Sequence, residues 1–138
     1  MDETQEMFFR EDLRLIGWRP SGVLTVEKIM TYFQSLAACP WGNVANRYCD
    51  FDGITDFDLD YDRLQSVSLA RKTRLADHAG LKVGIFVCRE VGFALSRMYQ
   101  MLVDDTVDTF VSKDRASVAG FLGVPLNELA FPPAQEPA

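Results

Sequence analysis

Short apolar segments alternate along this chain with longer segments that repeat their apolar residues at a helical period. The clearest short segment, residues 81–88 (LKVGIFVC), is a nearly unbroken aliphatic and β-branched run, which is typical of a strand covered on both faces. Residues 44–51 and 106–111 have weaker strand patterns, and helical patterns cover residues 61–78 and 90–103 between the strands. Strands separated by single helices form βαβ units, so the alternation predicts a mostly parallel sheet with right-handed crossovers.

The two ends of the chain add the remaining elements. Residues 7–19 contain one or two strands with no helix between them, which predicts an antiparallel strand at one edge of the sheet. Thr25 is placed to cap a helix that Pro40 ends. Ser112 is placed to cap a short last helix that stops at Gly123.

The length of 138 residues fits a single domain. We expect a small α/β fold over residues 1–129, with a mostly parallel sheet of about five strands and about four helices. Residues 130–138 contain three prolines, which can continue neither a helix nor a central strand, and form a predicted Pro-rich tail.

Charge and hydropathy limit the classes of partner and compartment. The net charge of −6 gives no basic surface, so we expect no nucleic-acid partner. No segment approaches the roughly 18 apolar residues of a membrane span, and the acidic N-terminus lacks the apolar core of a secretion signal. The widely spaced Cys39, Cys49 and Cys88 predict buried, reduced thiols rather than a disulfide framework or a metal pair. Together these features predict a cytoplasmic protein.

Four short segments carry a further pattern: residues 46–51 (NRYCDF), 61–64 (YDRL), 82–85 (KVGI) and 92–99 (GFALSRMY). With the closing pattern at residues 110–123, they resemble the SpoIIAA-like family of STAS-fold bacterial proteins. The resemblance implies an architecture related to the anti-sigma-factor antagonists and to CRAL-TRIO lipid-binding domains. It includes no catalytic signature, so it implies a fold rather than an activity.

Anti-sigma-factor antagonists carry a phosphorylatable serine in a motif like Asp-Leu-Ser-Gly-Val-Thr-x-Ile-Asp-Ser-Ser-Gly, and residues 50–61 are the comparable stretch here. The residues that match this motif are Asp50, Gly53, Thr55 and Asp58. Leu59 and Asp60 stand where the motif has its serine pair, which implies that the phosphoswitch is absent. Asp60 would then hold about one permanent negative charge where a phosphate carries nearly two.

The aspartates between residues 50 and 62 have two sharper interpretations. An EF-hand loop that begins at Asp56 needs Gly and Glu at its sixth and twelfth positions, where the chain has Tyr61 and Val67. Asp50 and Asp52 match the DxDG motif of Mg²⁺-dependent phosphohydrolases of the haloacid-dehalogenase type, in which an aspartate attacks phosphorus.

Neither the EF-hand nor the phosphohydrolase interpretation has all the residues that it requires in the required places. The DxxxD pair that a phosphohydrolase would add, Asp104 and Asp108, follows a helix and precedes a strand, which is the wrong side of the sheet for a metal site. Aspartates also cap helices and form Asx turns, and Asp60 or Asp62 suits the start of the helix that follows. The capping role is the interpretation that the sequence favours.

Two groups of residues are candidate binding sites. Asp58, Asp60 and Arg63 combine opposite charges at the start of the second helix. Phe93, Arg97 and Met101 share a helical face, distinct from the apolar face that is expected to pack against the sheet. That packing face consists of Val91, Ala94, Leu95, Met98 and Leu102. Apolar residues on two faces predict a helix that contacts more than the sheet.

Other reactive residue types give no catalytic or metal constellation, and we expect no cofactor. His78 is the only histidine, at the end of a predicted helix, and Cys88 is the least implausible nucleophile. A basic cluster that could meet an anion or a lipid headgroup is better interpreted as a solvated helix face. It consists of Arg63, Arg71, Lys72 and Arg74.

The function that these observations favour is a non-enzymatic cytosolic binding or regulatory module that contacts a protein partner or self-associates as a dimer. The alternative is a small lipid or apolar-ligand binding protein, from the CRAL-TRIO relationship. It would use Trp18, Phe93, Met98, Tyr99 and Met101. The remote alternative is the Mg²⁺ phosphohydrolase with Asp50 and Asp52.

Overall fold

The structure is a computed structural model that describes residues 5–75, 81–103 and 107–132, with backbone alone for residues 71–75. In chain order these residues form β1 (Gln5–Arg10), β2 (Leu15–Pro20), β3 (Gly22–Leu24), α1 (Val26–Ala38), β4 (Asn46–Asp50), β5 (Ile54–Phe57), α2 (Tyr61–Leu75), β6 (Lys82–Phe86), α3 (Glu90–Val103), β7 (Asp108–Ser112) and α4 (Arg115–Leu122).

The main sheet has five strands in the order β1-β2-β4-β6-β7. β1 pairs with β2 antiparallel, with Met7 opposite Trp18, and the other three pairings are parallel. Each parallel pair is joined by one helix, because α1, α2 and α3 lie between β2, β4, β6 and β7 in the chain. The predicted mostly parallel five-stranded sheet, its antiparallel edge and its four helices are confirmed.

A second sheet of two parallel strands, β3 and β5, was not predicted. Its strands have three and four residues and lie in polar or turn-like stretches, so neither has a period that a sequence can reveal. Gly22, in the predicted turn, begins β3 with a φ of 74° and donates its N–H to the Gly53 carbonyl. This sheet holds the connection between β4 and α2 close to the start of α1.

The two faces of the main sheet are covered unequally. Alternate strand residues such as Trp18, Cys49 and Ile85 face one core, which α1, α2 and α3 cover. The residues between them, such as Tyr48 and Phe86, face a second core, which α4 and a following turn cover. The strands therefore alternate between two apolar faces, as expected of a sheet buried on both sides.

The helix ends follow the predicted capping chemistry with one correction. The Thr25 hydroxyl accepts a hydrogen bond from the Lys28 N–H at the start of α1. The prediction that Ser112 caps α4 is wrong, because Ser112 is the last residue of β7 and the Asp114 carboxylate caps the helix instead. Gly123 ends α4 with a φ of 75°, the left-handed conformation that favours glycine.

The chain still packs against the sheet after α4. Leu129 is buried, and the ring of Phe131 lies 4.9 Å from the ring of Phe8 in β1. Within the predicted Pro-rich tail, the structure describes residues 130–132, and the rest of the tail lies outside the described residues. Phe131 thus adds an aromatic contact to the α4 face that composition alone did not suggest.

Candidate functional site

An apolar cavity of about 70 Å³ lies between the main sheet and the helices α1, α2 and α3, and it is partly open to solvent. Its floor is formed by sheet residues, which are Trp18, Cys49, Val83 and Ile85. Its helical walls are formed by Ile29, Tyr32, Phe33, Leu64, Val67, Leu95, Ser96 and Tyr99. The remaining lining residues precede α1 or lie between β4 and α2: Leu24, Phe51, Phe57 and Leu59.

Aromatic rings make one wall of this cavity rigid and flat. The rings of Trp18 and Tyr32 are stacked, with centroids 4.1 Å apart and planes within 7° of each other. Phe51 packs edge-on against Trp18 at 5.7 Å. The indole N–H of Trp18 donates a hydrogen bond to Gln5 Oε1, so the ring is held from both sides. Such ring pairs add to the stability that burial alone supplies.

Helix α3 turns its small residues toward the sheet. Gly92 and Ser96, four residues apart, are buried, and Val103 continues the same side. A Cβ atom at Gly92 would lie 2.6 Å from Phe57 Cζ and 2.7 Å from Val87 Cγ2, so only glycine permits this approach. The predicted packing face is therefore wrong for two of its residues, because Val91 and Ala94 are exposed.

Ser96 is the one hydroxyl-bearing aliphatic side chain in the lining. The residue is 5% exposed, and its hydroxyl makes no hydrogen bond to any residue that the structure describes. Ser68, equally buried on α2, donates its hydroxyl to the Gln65 carbonyl at 2.8 Å. Unlike the Ser68 hydroxyl, the Ser96 hydroxyl is therefore available to a molecule in the cavity that it lines.

The cavity opens between α3 and the segment that joins β5 to α2. The lining residues there, Phe57, Leu59, Leu95 and Tyr99, are only partly buried, whereas most residues of the floor are buried. The Asp58 N–H donates to the Leu24 carbonyl, which ties this segment to β3. The small sheet thus positions one side of the opening.

The candidate group of Asp58, Asp60 and Arg63 does come together at the start of α2. Arg63 Nη1 lies 3.4 Å from a carboxylate oxygen of each aspartate, and all three side chains are exposed. Asp60 also accepts a hydrogen bond from the Arg63 N–H at 2.9 Å, which confirms its predicted role as a helix cap. Exposed pairs of this kind contribute little to stability.

The second candidate group, Phe93, Arg97 and Met101, is not a single site. Phe93 is half-buried and packs against the helix-covered core, with Lys113 Nζ 5.0 Å from its ring centre. Arg97 and Met101 are exposed, and Met101 is 80% exposed. Of the residues predicted to hold an apolar ligand, Trp18 and Tyr99 line the cavity, and Phe93, Met98 and Met101 do not.

Part of the outward side of α3 is apolar, beside the exposed Arg97. We call Val91, Ala94, Met98 and Met101 the α3 outer stripe; their spacing places them along one line of the helix. Val91 is 63% exposed, and Met98 is partly buried. The exposed apolar residues of this helix are therefore largely those predicted to pack inward, and the side that packs inward is the one with Gly92 and Ser96.

Asp50 lies at the end of β4 on the opposite face of the sheet from the cavity. It is 2% exposed and accepts hydrogen bonds from the Tyr48 hydroxyl at 2.9 Å and from Arg115 Nε at 3.2 Å. Its other oxygen accepts from the Asp52 N–H. Burial, with the adjacent Asp50 carboxylate, raises the pKa of Tyr48. Both oxygens of Asp50 are thus occupied, one with Tyr48 and with Arg115 of α4, the other with the turn that follows β4.

The phosphohydrolase pattern finds little geometric support in this arrangement. Asp108 pairs with Lys82 at the start of β6, whereas Asp50 pairs with Phe86 at the end of β6, so the two carboxylates lie at opposite ends of the sheet. Asp104 lies outside the described residues. Among the residues that the structure describes, no group of three or more His, Cys, Asp or Glu side chains is placed to hold a metal ion.

The cysteines differ from the prediction in one respect. Cys49 is buried in the cavity floor and Cys39 is half-buried, but Cys88 is exposed. The predicted burial of Cys88 is wrong because β6 ends at Phe86, which leaves Cys88 in the following loop. His78 and the side chains of Arg71, Lys72 and Arg74 lie outside the described residues. In the part of the chain that is described, no helix combines the length and apolar character of a membrane span.

The sequence analysis missed the cavity itself and Ser96 within it. The available signal was the pair of small residues Gly92 and Ser96 four positions apart in an otherwise apolar helix, a spacing that marks close approach of a helix to its neighbour. That signal predicts which side of α3 packs inward. The volume of the cavity depends on how three helices pack against the sheet, and no local sequence pattern specifies that packing.

Comparison with solved structures supports the fold. The chain superimposes on the crystal structure of an uncharacterized protein of the DUF3478 family with a SpoIIAA-like fold from Shewanella loihica PV-4, with a TM-score of 0.54 and 13% sequence identity. The likeness covers 86% of this chain and 91% of that protein. No family model matches the sequence. No curated protein matches it either. The SpoIIAA-like fold that the sequence resemblance implied is therefore confirmed.

Proposed function

We propose that this chain is a non-enzymatic binding protein whose ligand is a small apolar molecule held between the main sheet and α1, α2 and α3. The observation that supports this function is the cavity, which is lined mainly by aliphatic and aromatic side chains and includes the hydroxyl of Ser96. Binding sites for small molecules commonly combine apolar walls with a few placed polar groups.

The size of the cavity limits the ligand. An apolar protein cavity of about 150 Å³ holds a benzene molecule, and about 70 Å³ is roughly half of that. The closed part therefore holds a few carbon atoms, and a larger molecule must extend through the opening beside Leu59 and Leu95. This favours a compact ligand over the long acyl chain of a lipid.

The proposal is tested by methyl NMR spectroscopy of the full chain with dissolved xenon and with benzene. We expect both probes to shift the methyl signals of Ile29 and Ile85, which line the cavity, and to leave those of Val118 and Leu122 on the α4 face unchanged. Xenon and benzene are known to enter dry apolar cavities. No shift with either probe, or equal shifts on both faces of the sheet, would contradict the proposal.

Two valine-to-isoleucine substitutions, one in the cavity lining and one outside it, provide a matched pair of variants. Val83→Ile adds one methyl group to the cavity floor, and Val107→Ile adds the same group to the same core away from the lining. Binding should weaken in Val83→Ile alone. Equal weakening in both variants would show that core strain, rather than occupation of the cavity, changes the response.

A second candidate function is self-association through the α3 outer stripe. A contiguous exposed apolar surface marks contact sites in many proteins, and this stripe includes the most exposed large apolar side chain of the described residues, Met101. Two antiparallel copies of α3 about a two-fold axis would place Val91 of one copy opposite Met101 of the other, and Ala94 opposite Met98. The stripe is thus complementary to itself, so the partner we propose is a second copy of the chain.

Sedimentation equilibrium measures this second candidate directly. We expect the wild-type chain to sediment as a dimer and Met101→Glu as a monomer, because an anion in an apolar interface lacks a partner. Leu126→Glu, at an exposed apolar residue on the α4 side, is the matched control and should remain dimeric. A monomeric wild-type chain at millimolar concentration would refute self-association.

A further inference from the structure

We infer that the ligand of the cavity is an uncharged molecule with an apolar body and one hydroxyl or carbonyl oxygen, which forms a hydrogen bond with Ser96. This inference rests on the proposed binding function and specifies its ligand class. Three features of the cavity support it: the buried hydroxyl of Ser96, the lack of charged side chains in the lining, and the flat aromatic wall.

Ser96 is a buried residue whose hydroxyl lies in the lining of the cavity. It belongs to the inward side of α3, one turn after Gly92, against which the Phe57 ring packs. The cavity is partly open to solvent, and no described residue supplies the hydroxyl with a hydrogen bond, so its capacity to donate and accept is available to a ligand. A ligand oxygen in the cavity would satisfy the hydroxyl and would gain a directional contact that a pure hydrocarbon cannot make.

The lining excludes charged ligands. None of the cavity residues carries an ionised side chain, and its polar members are the hydroxyls of Ser96 and two tyrosines. A carboxylate or an ammonium group would have to leave water without an opposite charge to meet it. A serine hydroxyl both donates and accepts a hydrogen bond, so it suits an alcohol, a phenol, a ketone or an ester equally.

The aromatic wall favours a flat body. Trp18 and Tyr32 present a stacked pair at one side of the cavity, and Phe51 closes the edge of that pair. A planar ring that extends through the opening beside Tyr99 can contact these aromatic side chains, with its substituent directed toward α3. The geometry thus favours a small cyclic or aromatic alcohol or ketone.

The inference is tested with three probes that share one ring: benzene, phenol and benzoate. Titrations of the full-length chain are followed by methyl NMR signals of Ile29 and Ile85. We expect phenol to bind about fivefold to tenfold more tightly than benzene, because one neutral hydrogen bond typically gives that factor. Benzoate should not bind, because its carboxylate has no cationic partner in the lining.

Two serine-to-alanine variants test whether the Ser96 hydroxyl, rather than a change in the fold, gives phenol its higher affinity. In Ser96→Ala the affinity for benzene should stay unchanged and the advantage of phenol should vanish. Ser68→Ala removes the hydroxyl of an equally buried residue that does not line the cavity and should retain that advantage. The two-dimensional spectra of both variants establish that each is folded.

The outcomes distinguish a failure of the Ser96 inference from a failure of the proposed binding function. If benzene and phenol bind with equal affinity to the wild-type chain and to Ser96→Ala, the hydroxyl has no role and this inference is overturned, while apolar binding stands. If benzoate binds as tightly as phenol, the uncharged ligand class is wrong. If none of the three probes binds, the proposed binding function itself fails.

Discussion

Replacing Ser96 by alanine should make this protein more stable, which is the reverse of the usual effect of a core truncation. Ser96 is buried on α3 and its hydroxyl makes no hydrogen bond to a described residue. Ser68 on α2 offers a matched comparison, because it is also buried in a helix and donates its hydroxyl to the Gln65 carbonyl. The two substitutions remove the same atom from environments that differ in one hydrogen bond.

The expected magnitude follows from three contributions. Alanine is better than serine inside a helix by about 0.5 kcal/mol, and this gain is common to both sites. At position 96 the substitution also removes a buried hydroxyl without a partner, which costs about 1–3 kcal/mol when fully dry. Since the cavity is partly open, we take the low end and expect Ser96→Ala to gain about 1.5 kcal/mol. At position 68 the loss of one hydrogen bond, about 1 kcal/mol, outweighs the propensity gain.

Urea denaturation of the three proteins, followed by circular dichroism, measures the difference. The free energy of unfolding should rise in Ser96→Ala and fall slightly in Ser68→Ala, so that the variants differ by about 2 kcal/mol. A Ser96→Ala variant that is less stable than the wild type would refute the reasoning, since it would show that the hydroxyl is already satisfied in the free protein.

Three further predictions concern the rest of the fold. The raised pKa of Tyr48, from burial and the adjacent Asp50, means that its contribution to stability is complete below about pH 10 and is lost as the pH rises further. Tyr48→Phe should therefore flatten the fall in urea midpoint above about pH 10, and a parallel fall in both proteins would disprove this. On α4, Gly120→Ala should stabilise by about 1 kcal/mol, because a Cβ there meets no atom within 4 Å, and Gly123→Ala should destabilise by a similar amount, because its φ is 75°. Equal thermal melting shifts in these two variants would contradict the helix end assigned to Gly123. Gly92→Ala should lower the free energy of unfolding by about 1–3 kcal/mol through its clash with Phe57, and an unchanged urea midpoint would show that α3 does not pack so closely.

The order of elements was predictable because it depends on local patterns. The β-branched run at residues 81–88, the cap at Thr25 and the glycine at the end of α4 each determine their element within a few residues. The antiparallel first strand also followed, since no helix separates β1 from β2. These features need only the chemistry of neighbouring residues, so a single sequence contains them.

The side of α3 that packs inward was not predictable from the count of apolar residues. Val91, Ala94 and Met98 form a larger apolar set than Gly92 and Ser96, yet the small residues face the sheet because Phe57 and Val87 already occupy the space. The size of a residue matters here more than its hydropathy. That choice depends on β5 and on the strand end at Val87, both distant in sequence, and the cavity beside Ser96 follows from the same long-range packing.

The candidate site residues show the same difference between roles set by neighbouring residues and roles set by long-range packing. Asp60 was predicted to cap α2, and it does, because capping involves only the next three residues. Asp50 was considered as a nucleophile, and its engagement by Tyr48 and Arg115 depends on α4, which lies far along the chain. Local chemistry thus identified the cap, while the role of Asp50 required the folded arrangement.

The parallel order of the sheet has a kinetic consequence. Only β1 and β2 are joined by a short connection, whereas every parallel pair must wait for a whole helix to close the loop between its strands. A chain dominated by such distant pairings folds slowly. The lining of the cavity is drawn from five strands and three helices, so it is complete only when the last of these loops has closed. A molecule that occupies the cavity can therefore act only on the finished fold. It would lengthen the lifetime of the native state and leave the rate of its formation unchanged.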